Sequence, residues 1–435
     1  MDLLYLHPSA TRGKPSFLFM PAGVFPMLNH ARRHGFAVSA VNEAVELALD
    51  PHFDTAQFLA THRAQVYALD LHWHEHAHGA LSLARLIKER HPDAVVVLGG
   101  ITASRYADEI LRDHPAVDHV VSGYGEEPLL QLLQGLRRRA APARRSVLTA
   151  AAPLALDDYD ETDHTALLHA REYAMAGIHG LRTDGGPRGV YYRNGVGCTR
   201  NCPYCGGAAS AHVEVFGHRR PLRRSPALVA ADLARLAAQG MGWVCLTHDV
   251  SSGSPDYWRE LFDEVRASRA RLGVYLEANG LPSAGFVREL ARTFVPADTR
   301  IAITPLCGDD EQRALNGKSF GASRLKACLR TIKEAGLGLV LYFADGLPGP
   351  APGSRARSLL LKAQLEAEFR PQMSFRTPLT LDPGSPMQLR PDDFGVRVRL
   401  RTLADYLARA AARSDGRPFD NSGYGLRAVS ARRRR

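Results

Sequence analysis

Two kinds of segment alternate over the first 135 residues: short apolar runs, and longer stretches in which apolar residues recur every three or four positions. LLYL, SFLFM, AVSAV, VYALDL, AVVVLGG and DHVVSG carry the first pattern and predict strands, most of them bounded by Gly, Pro or polar turns. ALSLARLIKERH carries the second and predicts a helix between two of those strands. Such alternation implies a mostly parallel sheet with helices on both faces and ligands at the carboxyl ends of the strands. The loops expected at that edge are Gly23 after SFLFMPA, His72 to His78, Gly99 with Gly100, and Ser122 to Glu127.

The periodicity fades between 136 and 187, where basic LRRRAAPARRS, acidic LALDDYDETDH and the break DGGPRG predict a linker running over the surface. It resumes at 188 with six predicted strands: GVYYRN, WVCLTHD, LGVYLEANG, TRIAIT, GLVLYFADG and PQMSFRTPL. Predicted helices, among them SPALVAADLARLAAQ and SRARSLLLKAQLEAEF, separate them. Six strand and helix units in a row predict a partial (β/α)6 TIM-like barrel over 188–390, with its chemistry at the C-terminal ends of the strands. The expected organisation is α/β throughout: a Rossmann-like domain over 1–135, the linker, the barrel, and a C-terminal helix and basic tail over 391–435.

Composition narrows the class. With 435 residues, 45% of them hydrophobic and 23% charged, the chain has the make-up of an ordinary globular protein of two or three domains. No apolar run approaches the roughly 18 residues of a membrane span. MDLLYLHPSA lacks the basic start and apolar core of a signal peptide, so a cytoplasmic chain is expected. The net charge of +10 sits largely in short runs, Arg137 to Arg139, Arg144 with Arg145, and Arg432 to Arg435. Such runs read as solvated segments without the interleaved aromatics of a base-stacking surface, which ranks nucleic acid below a small-molecule or peptide substrate.

The cysteines carry the sharpest chemical signal. Three of six fall within GCTRNCPYCGG, as Cys198, Cys202 and Cys205, and the others, Cys245, Cys307 and Cys328, are scattered. This is no disulfide framework, and a reducing compartment leaves the thiols free for metal. A structural zinc site wants four ligands, for which His212 and His218 are the nearest additions. A cubane held by three cysteines instead leaves one iron open, which is a catalytic arrangement.

Cys198-x3-Cys202-x2-Cys205, with Tyr204 before the third cysteine and the loop following the first barrel strand, resembles the signature of the radical S-adenosylmethionine enzymes. RRSPALVAADLARLAAQGMGWVCLTHD, GDDEQRALNGKSFGASRLKACLRTIKEAG and YFADGLPGPAPGS resemble further passages of that family, and DPGSPM resembles its closing loop. The resemblance implies a 4Fe–4S cluster on the three cysteines, whose open iron chelates S-adenosylmethionine and whose electron cleaves it to a 5′-deoxyadenosyl radical. Where many members carry Gly-Gly-Glu, this chain reads LTHDVSSGS; Tyr204 and Gly206 by the cluster, Glu277 after the third strand and Thr304 after the fourth are the expected S-adenosylmethionine contacts.

The passage from VYALDLHWH to GYGEEPLLQLL resembles the cobalamin-binding domain of cobalamin-dependent radical enzymes, with Tyr124 where a Glu is usual. It implies cobalamin contacts at His72, Trp73, Gly99, Gly100, Thr102, Ser122, Gly123, Gly125 and Glu126, the glycines admitting a bulky ligand close to the backbone. The cobalt-ligating Asp-x-His-x-x-Gly is absent, because Asp70-x-His72 is followed by Glu75. His72, His74, His76 and His78 alternate at a strand end, a spacing that would not converge four imidazoles, so exposed loop histidines are expected.

Both cofactors together imply methyl transfer to a substrate carbon or phosphorus, in natural-product or cofactor biosynthesis, with an external electron donor such as flavodoxin or ferredoxin. Two readings stay open beside it: radical rearrangement, cyclisation or oxidation without methyl transfer, and a zinc-stabilised binding module that is not an enzyme.

Overall fold

A computed structural model describes residues 1–10, 13–16, 18–140, 145–176, 187–349, 352–415 and 423–426. Two compact units emerge: residues 1–186 with 215–217 and 401–419, and residues 187–214 with 218–400 and 420–435. Among the described residues no helix is long and apolar enough to cross a membrane.

The first unit is built on a six-stranded sheet: β1 (Leu3–His7), β2 (Val38–Asn42), β3 (Val66–Asp70), β4 (Val95–Gly99), β5 (His119–Ser122) and β6 (Ser146–Thr149). Its order is β2-β1-β3-β4-β5-β6, and every pairing is parallel. Leu3, Tyr5, Ala68, Val97 and Val121 face one core, under the helices Val24–Arg33 and Glu126–Arg137. Leu4, Leu6, Tyr67, Leu69, Val96 and Leu98 are buried as well, and the helix Ala77–Arg90 turns Ala80, Leu81, Ala84 and Ile87 inward. Burial on both faces is why these strands read as unbroken apolar runs. The strand order reverses between β1 and β3, and a crevice outside their carboxyl ends is where such sheets bind ligands.

Two expectations give way here. SFLFM is not a strand in its described residues, Ser16 and Leu18 to Met20. The segment instead enters the core as a loop, with Met20 buried and its N–H donated to the Tyr173 hydroxyl at 3.1 Å. The sixth strand comes from the segment expected as a surface linker: β6 pairs with β5, and Ala166, Leu167 and Tyr173 join the first core. The helix Leu403–Ser414, late in the chain, also belongs to this unit, with Leu403, Tyr406 and Ala410 buried.

The second unit begins with β7 (Arg188–Tyr192), followed by the antiparallel pair β8 (Gly195–Val196) and β9 (Leu222–Arg223). Then come β10 (Met241–Leu246), β11 (Gly273–Glu277), β12 (Arg300–Leu306), β13 (Gly338–Asp345) and β14 (Met373–Pro378). The large sheet runs β14-β13-β12-β11-β10-β7, parallel throughout and in sequence order. This is the expected partial (β/α)6 barrel. Helices Pro226–Ala238, Pro255–Ser268, Ala284–Thr293, Ala322–Glu334 and Ser354–Phe369 alternate with its strands. Ser254 and Ser283 cap two of them by accepting the N–H of Tyr257 and of Phe286. A small pair, β15 (Val396–Val398) and β16 (Tyr424–Leu426), packs with Leu381 and Met387 into a separate apolar cluster.

The basic runs serve local packing where they are described. Arg137 stacks over Phe36 at 3.7 Å, and Arg145 donates to the carbonyls of Val117 and His114. Arg144 and Arg432 to Arg435 lie outside the described residues.

Candidate functional site

The three cysteines lie in the loop that leaves the first barrel strand, between β8 and the helix Ala209–Phe216. Backbone bonds coil this loop: Cys205 N–H to the Cys202 carbonyl at 3.2 Å, Ala208 N–H to Cys205 at 3.1 Å, and Ala209 N–H to Arg200 at 2.8 Å. The Arg200 N–H also donates to Cys198 Sγ at 3.3 Å, and the Asn279 amide does so at 3.7 Å. Both are bonds a thiolate strengthens.

Loops from other strand ends close on this coil. Asp382, beyond β14, accepts the Gly206 N–H at 3.0 Å and donates its own N–H to the Tyr204 carbonyl at 3.1 Å. Met387 N–H reaches the Pro203 carbonyl at 2.7 Å. A Cβ on Gly206 would lie 3.0 Å from both the Asp382 Cβ and the Pro383 carbonyl oxygen, so any larger residue would force the Asp382 loop to give by a few tenths of an ångström. Gly317, at φ +87°, approaches equally closely on the other side, where a Cβ would stand 3.0 Å from Cys202 Sγ. The next residue, Lys318, donates from Nζ to the Asn279 carbonyl at 2.8 Å.

All six cysteines are free thiols. Burial, reinforced by the Asp382 carboxylate, pushes the Cys205 thiol up to about 12. Burial also raises Cys198, outweighing the Arg200 N–H and the Lys318 ammonium, which pull it down. Without metal Cys198 and Cys205 are therefore held as thiols, and cationic iron would convert them to thiolates while compensating their burial. Among the described residues, the group of three ligating side chains close enough for a single ion lies elsewhere, at His7, Asp70 and His76.

The other expected contacts sit at strand ends. Tyr204 bonds its hydroxyl to Cys202, and burial raises its phenol well above the ordinary range. Glu277 ends β11, and the Tyr275 hydroxyl donates to it at 3.3 Å. Tyr275 and Tyr342 share a hydroxyl contact of 2.9 Å, and Phe375 stacks on Tyr342 at 5.1 Å. Thr304 lies in β12, half-buried, where the pairing register with β13 shifts between Ile303 and Leu306. Sequence reasoning missed Asn279, Gly317, Lys318 and Asp382 as individuals. Their signals were only the passages that contain them, LEANG, ALNGKSF and DPGSPM.

In the first unit the expected cobalamin residues gather at the carboxyl ends of β3, β4 and β5. Gly100 adopts φ +113°, and a Cβ there would fall 2.5 Å from the His72 nitrogen, so only glycine lets the two loops meet. Thr102 fastens them, its hydroxyl donating to the His72 carbonyl at 2.9 Å. Gly99 accepts from the Leu71 N–H at 2.8 Å, and Gly123, at φ +84°, donates to the Ser104 hydroxyl at 3.0 Å. His72, Trp73 and Ser122 are partly exposed on these ends. Gly125 packs on Met27, where a Cβ would lie 3.0 Å from the sulfur, and Glu126 opens the next helix at 3% exposure. The histidines are not the exposed series expected. His74 and His76 are buried, in a 3-10 turn over His74–His76 rather than an open loop.

The family model for B12 binding domains matches residues 9–133, and that for the radical SAM superfamily matches residues 194–358. This chain belongs to the radical S-adenosylmethionine enzymes that carry a cobalamin-binding domain. Its cofactors are therefore a 4Fe–4S cluster, S-adenosylmethionine and cobalamin. It is 24% identical over 290 residues to the hopanoid C-3 methylase of Methylococcus capsulatus, covering 64% of this chain and 52% of the relative. The chain thus spans about half the length of that curated relative. Among solved structures it resembles the radical S-adenosylmethionine methyltransferase TsrM from Kitasatospora setae, with cobalamin and a [4Fe-4S] cluster bound. That match has a TM-score of 0.64 at 16% identity and covers 93% of this chain and 81% of TsrM. The cobalamin-dependent radical enzyme OxsB, with aqua-cobalamin and S-adenosylmethionine bound, matches at TM-score 0.62 and 12% identity, over 99% of this chain and 64% of OxsB. At these identities the solved structures establish the fold.

Proposed function

We propose that this cobalamin-dependent radical enzyme is a methyltransferase acting on an unactivated centre of a small-molecule or peptide substrate. The observation that carries the reading is the pairing, in one chain, of a B12-binding unit with a radical barrel whose cysteine loop sits at the C-terminal rim. A methylase and a methyltransferase among its relatives support it.

Cys198, Cys202 and Cys205 would hold the cluster; Tyr204, Gly206, Glu277 and Thr304 would contact S-adenosylmethionine. His72, Trp73, Gly99, Gly100, Thr102, Ser122, Gly123, Gly125 and Glu126 would form or support the cobalamin site. When bound, the cluster supplies an electron from an external donor such as flavodoxin or ferredoxin, and cobalamin supplies a methyl carrier. The chain's own part is to hold the cysteine coil through Asp382, Gly317 and Asn279, and to fix the β3 and β4 loops through Thr102. Tyr342 and Phe375 stack into a flat aromatic pair, tied through the buried Tyr275 hydroxyl to the Glu277 carboxylate and suited to orienting a substrate and excluding water.

The test is an anaerobic incubation of the reconstituted protein with cobalamin, a reductant and S-adenosylmethionine deuterated in its methyl group. Methyl transfer predicts S-adenosylhomocysteine, with the label recovered on cobalamin. Formation of 5′-deoxyadenosine alone, with no label movement, would move the protein to the rearranging or oxidising radical enzymes.

A further inference from the structure

His7 and Asp70 end two neighbouring strands. β1 and β3 pair in parallel with Leu6 opposite Leu69, which sets the next residues side by side at the point where the strand order reverses. Their side chains meet at 2.9 Å between His7 Nδ1 and Asp70 Oδ2. The 3-10 turn after β3 brings in His76, whose ring centre lies 4.8 Å from that of His7 at a steep angle. One ligand atom from each of the three lies within 4.8 Å of the other two, and the residues are 0%, 3% and 0% exposed.

The surroundings resemble those of ligands more than those of an ordinary ion pair. The Tyr5 hydroxyl donates to Asp70, and the His72 N–H reaches its other oxygen at 3.2 Å. A carboxylate oriented by outer partners in this way is characteristic of metal-ligating groups. His7 Nδ1 is the ring nitrogen that faces Asp70, while Nε2, across the ring, is buried with no hydrogen-bond partner among the described residues and calls for a water. Trp73 stands edge-on to both imidazoles, at 6.3 Å from His7 and 5.7 Å from His76, and Phe19 packs against Trp73 at 5.3 Å. Aromatic walls close the site.

We propose that His7, Asp70 and His76 bind a divalent metal ion of the zinc class, a site separate from the iron–sulfur cluster. Two imidazole nitrogens and a carboxylate oxygen are a donor set that zinc takes at about 2.0–2.2 Å from each. Around such an ion the ligand atoms stand about 3.5 Å apart, so the set, which spans up to 4.8 Å, closes by about 1 Å at its widest. Three protein ligands leave the fourth position of such an ion to a water, and the ion would clamp the end of β1 to the loop that begins with His72 and Trp73.

The test uses the full-length chain with Cys198, Cys202 and Cys205 all changed to Ala, so that neither a cluster nor thiolate-bound zinc interferes. After equilibration with zinc and removal of loose metal on a chelating resin, elemental analysis is expected to find about one zinc per chain. Cobalt(II) in its place is expected to give visible d–d bands of a nitrogen and oxygen site. Adding His76→Gln or Asp70→Asn should reduce the bound zinc at least tenfold, with circular dichroism confirming that each variant is folded. Should a variant unfold, stripping the parent with 1,10-phenanthroline is expected to lower its melting temperature and zinc to restore it. A folded parent without stoichiometric zinc or cobalt bands, zinc content unchanged by the substitutions, or stoichiometric iron instead of zinc would each overturn the proposal.

Discussion

The backbone N–H of Gly206 donates to the carboxylate of Asp382 at 3.0 Å, across 176 residues of sequence, and so ties the cysteine loop to the loop that leaves the sixth barrel strand. The coil holding three thiols is thus shaped by both ends of the barrel. Gly206→Ala would push a Cβ to 3.0 Å from the Asp382 side chain and the Pro383 carbonyl. Iron content after anaerobic reconstitution is expected to fall several-fold in Gly206→Ala and less in Asp382→Asn, which keeps an oxygen acceptor. Full iron loading in both would show the tie to be dispensable.

Gly100 offers a sharper contrast in the first unit. Gly100→Ala combines a left-handed backbone with a 2.5 Å approach to the His72 nitrogen, whereas Gly35, at φ +76°, has nothing within 4 Å of a Cβ. Urea denaturation should show Gly100→Ala less stable by about 3 kcal/mol or more. Gly35→Ala should cost only about 1 kcal/mol.

A buried ion pair braces the first barrel strand. Arg224 and Asp232, each 1% exposed, meet at 2.9 Å, and the Tyr192 hydroxyl donates to the same carboxylate oxygen at 2.8 Å. Asp232→Ala strands a buried guanidinium, so a loss of about 3–5 kcal/mol is expected in denaturant titration. Tyr192→Phe, which leaves the pair intact, should cost about 1 kcal/mol.

Stability should fall on acidification for a reason that can be located. Burial holds His164 down at about 4, against an ordinary value of 6.5. Between those values the unfolded chain binds a proton that the folded chain excludes, so folding weakens as pH drops from 6.5 towards 4. At about 1.4 kcal/mol per pH unit the loss reaches up to about 3 kcal/mol. Urea midpoints of the iron-free chain at pH 7 and pH 5 measure it, and His164→Gln should shrink the difference by this one share, because burial holds His212 and His248 down at about 4 as well.

Much of this was legible in the sequence, for physical reasons that differ between elements. The six barrel strands announced themselves because each is an apolar run followed by a helix of 3.6-residue period, and Cys198, Cys202 and Cys205 because metal chemistry fixes their spacing. SFLFM failed as a strand because pairing, not local composition, decides it: Met20 is buried with its N–H on the Tyr173 hydroxyl instead of a neighbouring strand. SVLT escaped notice because a four-residue edge strand, half exposed, has almost no pattern. His74 and His76 were misjudged because an exposed loop was expected at the strand end, where the chain instead forms a 3-10 turn that buries both. His7 and Asp382 were invisible for a common reason, since each acquires its role from residues far along the chain.

The central claim is that one chain carries both an iron–sulfur cluster and cobalamin. Its most direct test is anaerobic purification with cobalamin supplied, followed by iron, sulfide and cobalt analysis with an absorption spectrum. The account predicts about four irons with matching sulfide and about one cobalamin per chain. Zinc at the cysteines with no iron, and a colourless solution, would contradict it.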